Sequence, residues 1–368
     1  MTLSGHRLGF TDPCQGPHLS LQHVRLIRTT ILLVRTDMKR REFITLVGGT
    51  AATSAWPLAA RAQQTARVRK IGLLQGLAAS DPDWQRRLAA FRQGLADLGW
   101  VEGRNVVFEF RYADAKPEKL PALAAELVQA KVDVIVTNAA QPVDAARKAT
   151  STIPIVMAAV GDALGGGYVA SLARPGGNIT GFTLVATEQS AKRLELIKEM
   201  LPGLTRAAVL WNPDAAGHRM QWTEMQPAAS KLEIVLQSTP VKSADDIAAA
   251  LRAAEQGAAQ AIVAMEDPMI QSRRANIAEF SVQRKIPVMG EFKSMADAGA
   301  LMAYGPNQID LWRRTAAYID KIFKGAKAAD LPVEQPTKFE LTINLKAAKS
   351  LGVNMPPAML ARADEVIE

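Results

Sequence analysis

Two doubly wound α/β lobes, each a parallel sheet with helices on both faces, form the fold class this sequence predicts. Three observations point to it. Short apolar runs alternate with amphipathic stretches from 68 to 323. The runs are continuously apolar, as strands buried on both faces are. The alternation then starts afresh after a Gly-rich segment, RPGGNITGFT (174–183), with IPIV at 153 and IPVM at 286 in matching places. The 306 residues from 63 to 368 also exceed what one hydrophobic core fills, so two lobes are expected.

In the first half, Val68 to Leu74 reads as a strand. Asp83 to Leu98 reads as a helix, with Leu88, Phe91, Leu95 and Leu98 on one face and Gly99 ending it. NVVFEFRYA (105–113) is a strand, Pro117 to Ala130 a helix, VDVIVTNA (132–139) a strand, Gln141 to Thr150 a helix and IPIVMAAVGD (153–162) a strand. In the second half, Glu188 to Met200 is a helix that turns Leu194, Ile197 and Met200 inward. Strands follow at 206–213, 233–241, 259–267 and 286–291, with helices at 220–232, 244–256 and 269–284 between them. GALMAYG (299–305) reads as a further strand. Ile309 to Phe323 reads as a helix with Leu311, Trp312, Ala316, Ile319 and Phe323 as its apolar stripe.

The first 62 residues stand outside this pattern. MKRREFITLVGG (38–49) joins a basic cluster to a mildly apolar run, and Ala60-Arg61-Ala62 is a small-residue cleavage site. Together these read as an export signal over 38–62, cleaved after Ala62. Arg40, Arg41 and Phe43 resemble a twin-arginine signal. Residues 1–37 read as a start assigned too early, Met38 being the true one, or as a disordered extension.

Removing 1–62 changes the chemistry available. That segment holds 8 of the 44 basic and 3 of the 36 acidic residues, which leaves 36 against 33. A basic surface for nucleic acid is therefore not expected. The segment also takes away Cys14, the sole cysteine, and three of the four histidines, leaving His218. Thiol nucleophiles, disulfides and thiolate metal sites are excluded, and a His-based triad or zinc site is reduced to one residue. The glycines show neither a dinucleotide fingerprint nor a P-loop. No metal, cofactor or catalytic residue is expected.

Ligands of open parallel α/β sheets bind beyond the carboxyl ends of the strands. Those ends hold Gln75, Asn138 with Gln141, and Asp162 in the first half, and Asn212, Glu266 with Asp267, and Glu291 in the second. Each has a local alternative. Asn212 suits a turn or cap, Asp267 before Pro268 suits a helix start, and Asp162 suits a cap. Glu266 and Glu291, each ending a strand, need either an ammonium group or a structural Arg as partner.

Several stretches resemble the ABC-transporter substrate-binding proteins of the tryptophan/tyrosine type: IPIVMAAVGDALGGGYVASLARPGGNITGFT (153–183), LELIKEMLPGLTRAAVLWNPD (194–214), IPVMGE (286–291) and LPVEQPTKFELTINLKAAKSLGV (331–353). The resemblance implies a type I periplasmic-binding fold whose lobes are joined by hinge crossovers near 181–186, 295–300 and 332–343. The N-terminal lobe would comprise 63–183 and 297–332, and the C-terminal lobe 184–296 and 333–368. It implies a monomeric periplasmic receptor that passes a small organic ligand, an amino acid or an aromatic compound, to an ABC permease. By position, Gln75, Asn138, Gln141, Asp162, Asn212, Glu266, Glu291 and Tyr304 would line the cleft. The loop after the third strand, TNAAQP, lacks the Thr/Ser-rich character of family members that take aromatic amino acids, so the ligand stays open. Two other readings stay open as well: a ligand sensor acting through a membrane receptor, and an exported hydrolase using Glu266 or Glu291.

Overall fold

A computed structural model describes residues 67–184 and 186–368. The expected export signal (38–62) and the extension before it lie outside the described residues.

The first lobe carries strands β1 (Arg69–Gln75), β2 (Val106–Tyr112), β3 (Val134–Asn138), β4 (Ile155–Val160) and β5 (Ile179–Thr183), with helices α1 (Pro82–Asp97), α2 (Leu120–Gln129) and α3 (Ala140–Ala149) between them. The sheet runs β2-β1-β3-β4-β5. All its pairs are parallel, and one apolar cluster covers each face. Helix α1 begins where Asp81 accepts hydrogen bonds from the N–H groups of Asp83 and Trp84, with Pro82 as its first residue. In β5, Gly181 has φ +124°, and a Cβ there would lie 2.1 Å from the carbonyl oxygen of Met157, so only glycine lets β5 close on β4.

The second lobe carries α4 (Ala186–Met200), β6 (Arg206–Trp211), α5 (Ala216–Lys231), β7 (Val235–Pro240), α6 (Ile247–Gln256), β8 (Ala261–Ala264), α7 (Pro268–Ser272), α8 (Arg274–Arg284), β9 (Val288–Gly290), α9 (Lys293–Asp297) and β10 (Met302–Pro306). Its sheet is β12-β11-β10-β9-β8-β6-β7, where β11 is Phe339–Asn344 and β12 Glu365–Ile367. Only the β10–β11 pair is antiparallel. The single helix expected over 269–284 is two helices meeting at Arg273, and the one expected from 220 starts at Ala216.

Strand β10 departs from expectation. It belongs to the second sheet, paired with β9 and β11, not to the first lobe as a boundary at 297 requires. Helix α9 is only 5 residues long, too short to carry the chain across. The crossing comes at Asn307, whose side chain caps α10 (Gln308–Phe323).

That last helix returns to the first lobe and lies along α1. Its expected stripe, Leu311, Trp312, Ala316, Ile319 and Phe323, is buried. The Trp312 ring meets Trp84 edge-on at 5.2 Å and Phe91 at 5.9 Å. Each such ring contributes about 1.5–3 kcal/mol by leaving water. Gly94 makes the close helix approach possible, since a Cβ there would stand 2.4 Å from the Arg313 carbonyl oxygen. The chain therefore passes between lobes after β5, at Asn307, and between Glu334 and β11. At the last crossing the Glu334 N–H donates to Gly181 O (2.9 Å) before the strand enters the second sheet. Two short helices, α11 (Leu345–Leu351) and α12 (Pro357–Arg362), complete the second lobe.

Candidate solute-binding cleft

The carboxyl ends of both sheets face one another across a small cavity. Ala139, Ala140, Gly161, Asp162 and Tyr168 line it from the first lobe, Leu184 from the crossover, and Gly217, His218, Gln221, Glu266 and Glu291 from the second. Its volume is about 20 Å³, room for roughly one water molecule.

The lobes touch directly around this cavity. Arg274, the first residue of α8, donates to Asp81 at the start of α1 (2.7 Å), and Arg86 reaches Asp297 (3.2 Å). A Cβ on Gly76 would lie 2.6 Å from the Pro268 ring, and one on Gly165 would lie 2.2 Å from the sulfur of Met220. At Gly76 only a bare backbone allows this approach, since Pro268 is rigid, whereas the exposed Met220 side chain can swing away from Gly165.

The second-lobe floor is held by a network of named bonds. The N–H of Asn212 donates to His218 Nδ1 (2.9 Å). The ring proton therefore sits on Nε2, which donates to the Glu266 carbonyl oxygen (2.8 Å), so His218 is neutral. The Glu266 N–H donates to Glu291 Oε2 (3.2 Å), and that same oxygen lies 3.5 Å from the Arg193 guanidinium. Arg193 also donates to Ser190 Oγ (3.1 Å) and toward Gln221 Oε1 (3.4 Å). Both backbone groups of Glu266 are thus engaged, while its carboxyl makes no hydrogen bond or ion pair among the described residues. Glu266 keeps some exposed surface yet is enclosed by protein, as a side chain facing a crevice is. Burial pushes its carboxyl up to about 8; Arg87 works against this, while Glu291, Asp267 and Asp83 add to it.

Of the expected site residues, Asp162, Glu266 and Glu291 converge on the cavity. Asp162 also serves locally, its Oδ1 accepting from the N–H groups of Leu164 and Gly165. Gln75 and Asn138 are buried at the ends of β1 and β3, and the Gln75 Nε2 has no partner among the described residues. Gln141 lies elsewhere, in an outer groove with Pro117, Leu120 and Asp144. Asn212 is consumed by its turn: it donates to Asp267 Oδ2 (3.0 Å) and accepts from the Asp214 N–H (2.9 Å). Asp267 caps α7 through Met269. Tyr304 stacks on Phe339 at 6.0 Å beside the second-lobe core. Position at a strand end sets a residue's height in the sheet, but local hydrogen bonds and helix phase decide where its side chain goes.

Three residues escaped the strand-end rule. Gln221 sits one helical turn after His218 on α5 and faces the same floor. Arg193 on α4 and Arg87 on α1 are buried cations. Arg87 pairs with Asp83, and its Nε is left without a partner. Buried arginines inside helices are a legible anomaly; Asp83 lies one turn from Arg87, but Glu291 is distant in sequence from Arg193.

The His218 nitrogens are both occupied by backbone groups, so the ring has no free nitrogen to serve a nucleophile. No cluster of three or more His, Cys, Asp or Glu suited to a metal occurs among the described residues. What the arrangement can do is enclose a small polar solute between two lobes.

Residues 76–367 match the family described as ABC transporter substrate binding protein. The chain belongs to that family. This substrate-binding protein is 25% identical over 270 residues to the tyrosine-binding protein of Clostridioides difficile strain R20291, covering 73% of this chain and 77% of that one. A solved conserved domain protein of Vibrio cholerae superposes with a TM-score of 0.76 at 29% identity, over 82% of this chain and 100% of the other. A Streptococcus pneumoniae ABC domain in complex with L-Trp superposes with a TM-score of 0.75 at 27% identity, over 81% and 99%. The family consists of binding proteins, not enzymes, that serve an ABC transporter. The substrate-binding protein accordingly takes a small molecule, and its two-lobed α/β fold is that of periplasmic binding proteins. Among the described residues, no helix is long and apolar enough to cross a membrane.

Proposed function

We propose that this substrate-binding protein is an exported, monomeric periplasmic receptor whose cleft takes an amino acid, with the solute's ammonium group on Glu266 and its carboxylate toward the first lobe. The observation that carries this reading is the pattern of unmet polar groups. The second lobe offers a carboxyl, Glu266, with no donor. The first lobe holds buried donors without acceptors among the described residues, Gln75 Nε2 and Arg87 Nε, though neither lines the cavity. A solute's ammonium group in the cavity supplies the donor that Glu266 lacks. Similarity to a tyrosine-binding protein and to a domain solved with L-Trp supports an amino acid as the solute class. Export rests on the 38–62 segment, with cleavage after Ala62.

The test is calorimetric titration of the purified protein with L-tryptophan, L-tyrosine and other amino acids, alongside tryptamine and indole-3-propionate. Binding of an amino acid but of neither single-charge analogue is expected. Equal binding of the analogue that lacks the amine would refute the role given to Glu266. N-terminal sequencing of the exported protein should begin at Gln63.

A further inference from the structure

We infer that charge on Glu266 gates lobe closure: the cleft shuts when this carboxylate is neutralised, by a solute's ammonium group or, without solute, by a proton. The inference rests on the reading of Glu266 as the ammonium partner and adds a control on when the receptor closes.

The geometry gives the ionised side chain no protein donor among the described residues. Its backbone is pinned on both sides, by His218 Nε2 on the carbonyl and by Glu291 on the N–H. An ionised carboxylate offers about four lone-pair sites for donors. The protein supplies none here, and a cavity of about 20 Å³ admits roughly one water.

The surrounding charges do not help. From α1 come Arg87 and Asp83, already paired with each other. The loop after β4 brings Asp162 and the phenol of Tyr168, whose pKa burial raises further. His218 on α5 is neutral. Asp267 and Glu291 stand beside Glu266, and Arg193 is paired with Glu291. Two cations thus face four carboxylates before Glu266 is counted. Burial pushes the Glu266 carboxyl up to about 8 in this closed arrangement.

Parting the lobes removes the first-lobe wall and admits water, so Glu266 returns to the ordinary carboxylate range, about 4.3. Closure without solute therefore takes up one proton from solvent: the open carboxylate plus a proton gives the closed carboxylic acid. Between these two values, each unit of pH shifts the closing equilibrium up to tenfold. An ammonium group on the solute replaces the proton, and closure then needs none. At neutral pH only a loaded receptor shuts, which lets a permease tell loaded from unloaded receptor.

The experiment is small-angle scattering of the purified protein without added solute from pH 5 to 8.5. The wild type should contract as pH falls. Glu266→Gln should stay compact at every pH, and Glu266→Asp, which keeps a titrating carboxyl, should restore the response. A wild-type radius of gyration that does not change with pH would overturn the inference, as would a Glu266→Gln variant that titrates like wild type. Adding L-tryptophan at pH 8 separates the two readings. Compaction by pH alone, with no amino acid bound, sinks the solute assignment and keeps the gate. Compaction by L-tryptophan with no pH response in its absence does the reverse.

Discussion

Replacing Arg274 with alanine isolates one contact that holds the lobes together. Its guanidinium lies 2.7 Å from Asp81 across the cleft mouth, and the two side chains are only 15% and 10% exposed. A hydrogen bond to a charged group at such a place contributes about 1.5–3 kcal/mol. In an open receptor both ends return to water, so this whole difference belongs to closure. Asp81 is not orphaned by the change, because the N–H groups of Asp83 (2.9 Å) and Trp84 (3.0 Å) still satisfy it. The closing equilibrium should weaken about 10- to 150-fold, since about 1.4 kcal/mol is a factor of ten. Titration calorimetry with L-tryptophan should show that loss as a higher Kd. Melting without solute should barely move, because Arg274 otherwise bonds only the Gln271 carbonyl, within its own lobe. The pH behaviour gives a second check. Partial burial opposes the charge on Asp81, but Arg274 and the backbone N–H groups of Trp84 and Asp83 outweigh it and hold the carboxyl below its usual 3.8. A depressed carboxyl contributes fully above that usual value and loses its contribution as pH falls through the lower one. The Arg274 effect should therefore be flat between pH 5 and 8. An unchanged Kd, or a loss of stability in place of affinity, would refute the reasoning.

Gly76→Val should prop the lobes apart against Pro268 and weaken solute binding at least tenfold while leaving urea unfolding nearly unchanged; unaltered affinity would show that the contact does not limit closure. Gly94→Val acts inside the first lobe, forcing α1 from the Arg313 carbonyl, and should cost about 1–3 kcal/mol in urea denaturation with solute affinity kept in the folded fraction. For Glu266 the raised carboxyl reverses the usual sign. The closed form holds the proton more tightly than the unfolded chain does, so its stability is full below about 4.5 and falls as pH rises above that, until the lobes part and the fall stops short of about 8. Thermal melts without solute should show this fall, and Glu266→Gln should flatten it; a melting temperature that climbs over that range in wild type alone would contradict the assignment.

Much of the fold was legible because its signals are local. Continuous apolar runs such as VDVIVTNA mark strands buried on both faces, and the stripe from Leu311 to Phe323 marks a helix with one covered side. Which sheet a strand joins is not local: MAYGP at 302–306 reads the same in either lobe, and only its pairing with β9 and β11 places it. The site divides the same way. Glu266 and Glu291 end strands with no donor or cap adjacent in sequence, and both reach the cavity, where Arg193 and the Glu266 N–H engage Glu291. Asn212 ends a strand too, but the Pro213-Asp214 turn engages it. Gln141 falls on the first turn of a helix, where a rotation of about 100° per residue carries its neighbour Ala140 to the cavity and Gln141 away from it. Arg193 was hidden because the carboxylate that pairs with it, Glu291, ends a strand far along the chain, whereas Arg87 and its partner Asp83 share one helical turn.

Helix α10 joins the first lobe only after the chain has traversed most of the second. Until residues near Trp312 are made, Trp84 and Phe91 have Tyr112 and Phe108 of β2 beside them but lack the Trp312 ring, and α1 presents an open apolar face. The second lobe waits longer still, since β11 and β12 complete its sheet from 339 onward. The first lobe therefore cannot settle before α10 is made, nor the second before β12 is. A chain of this topology folds out of step with the order in which it is made.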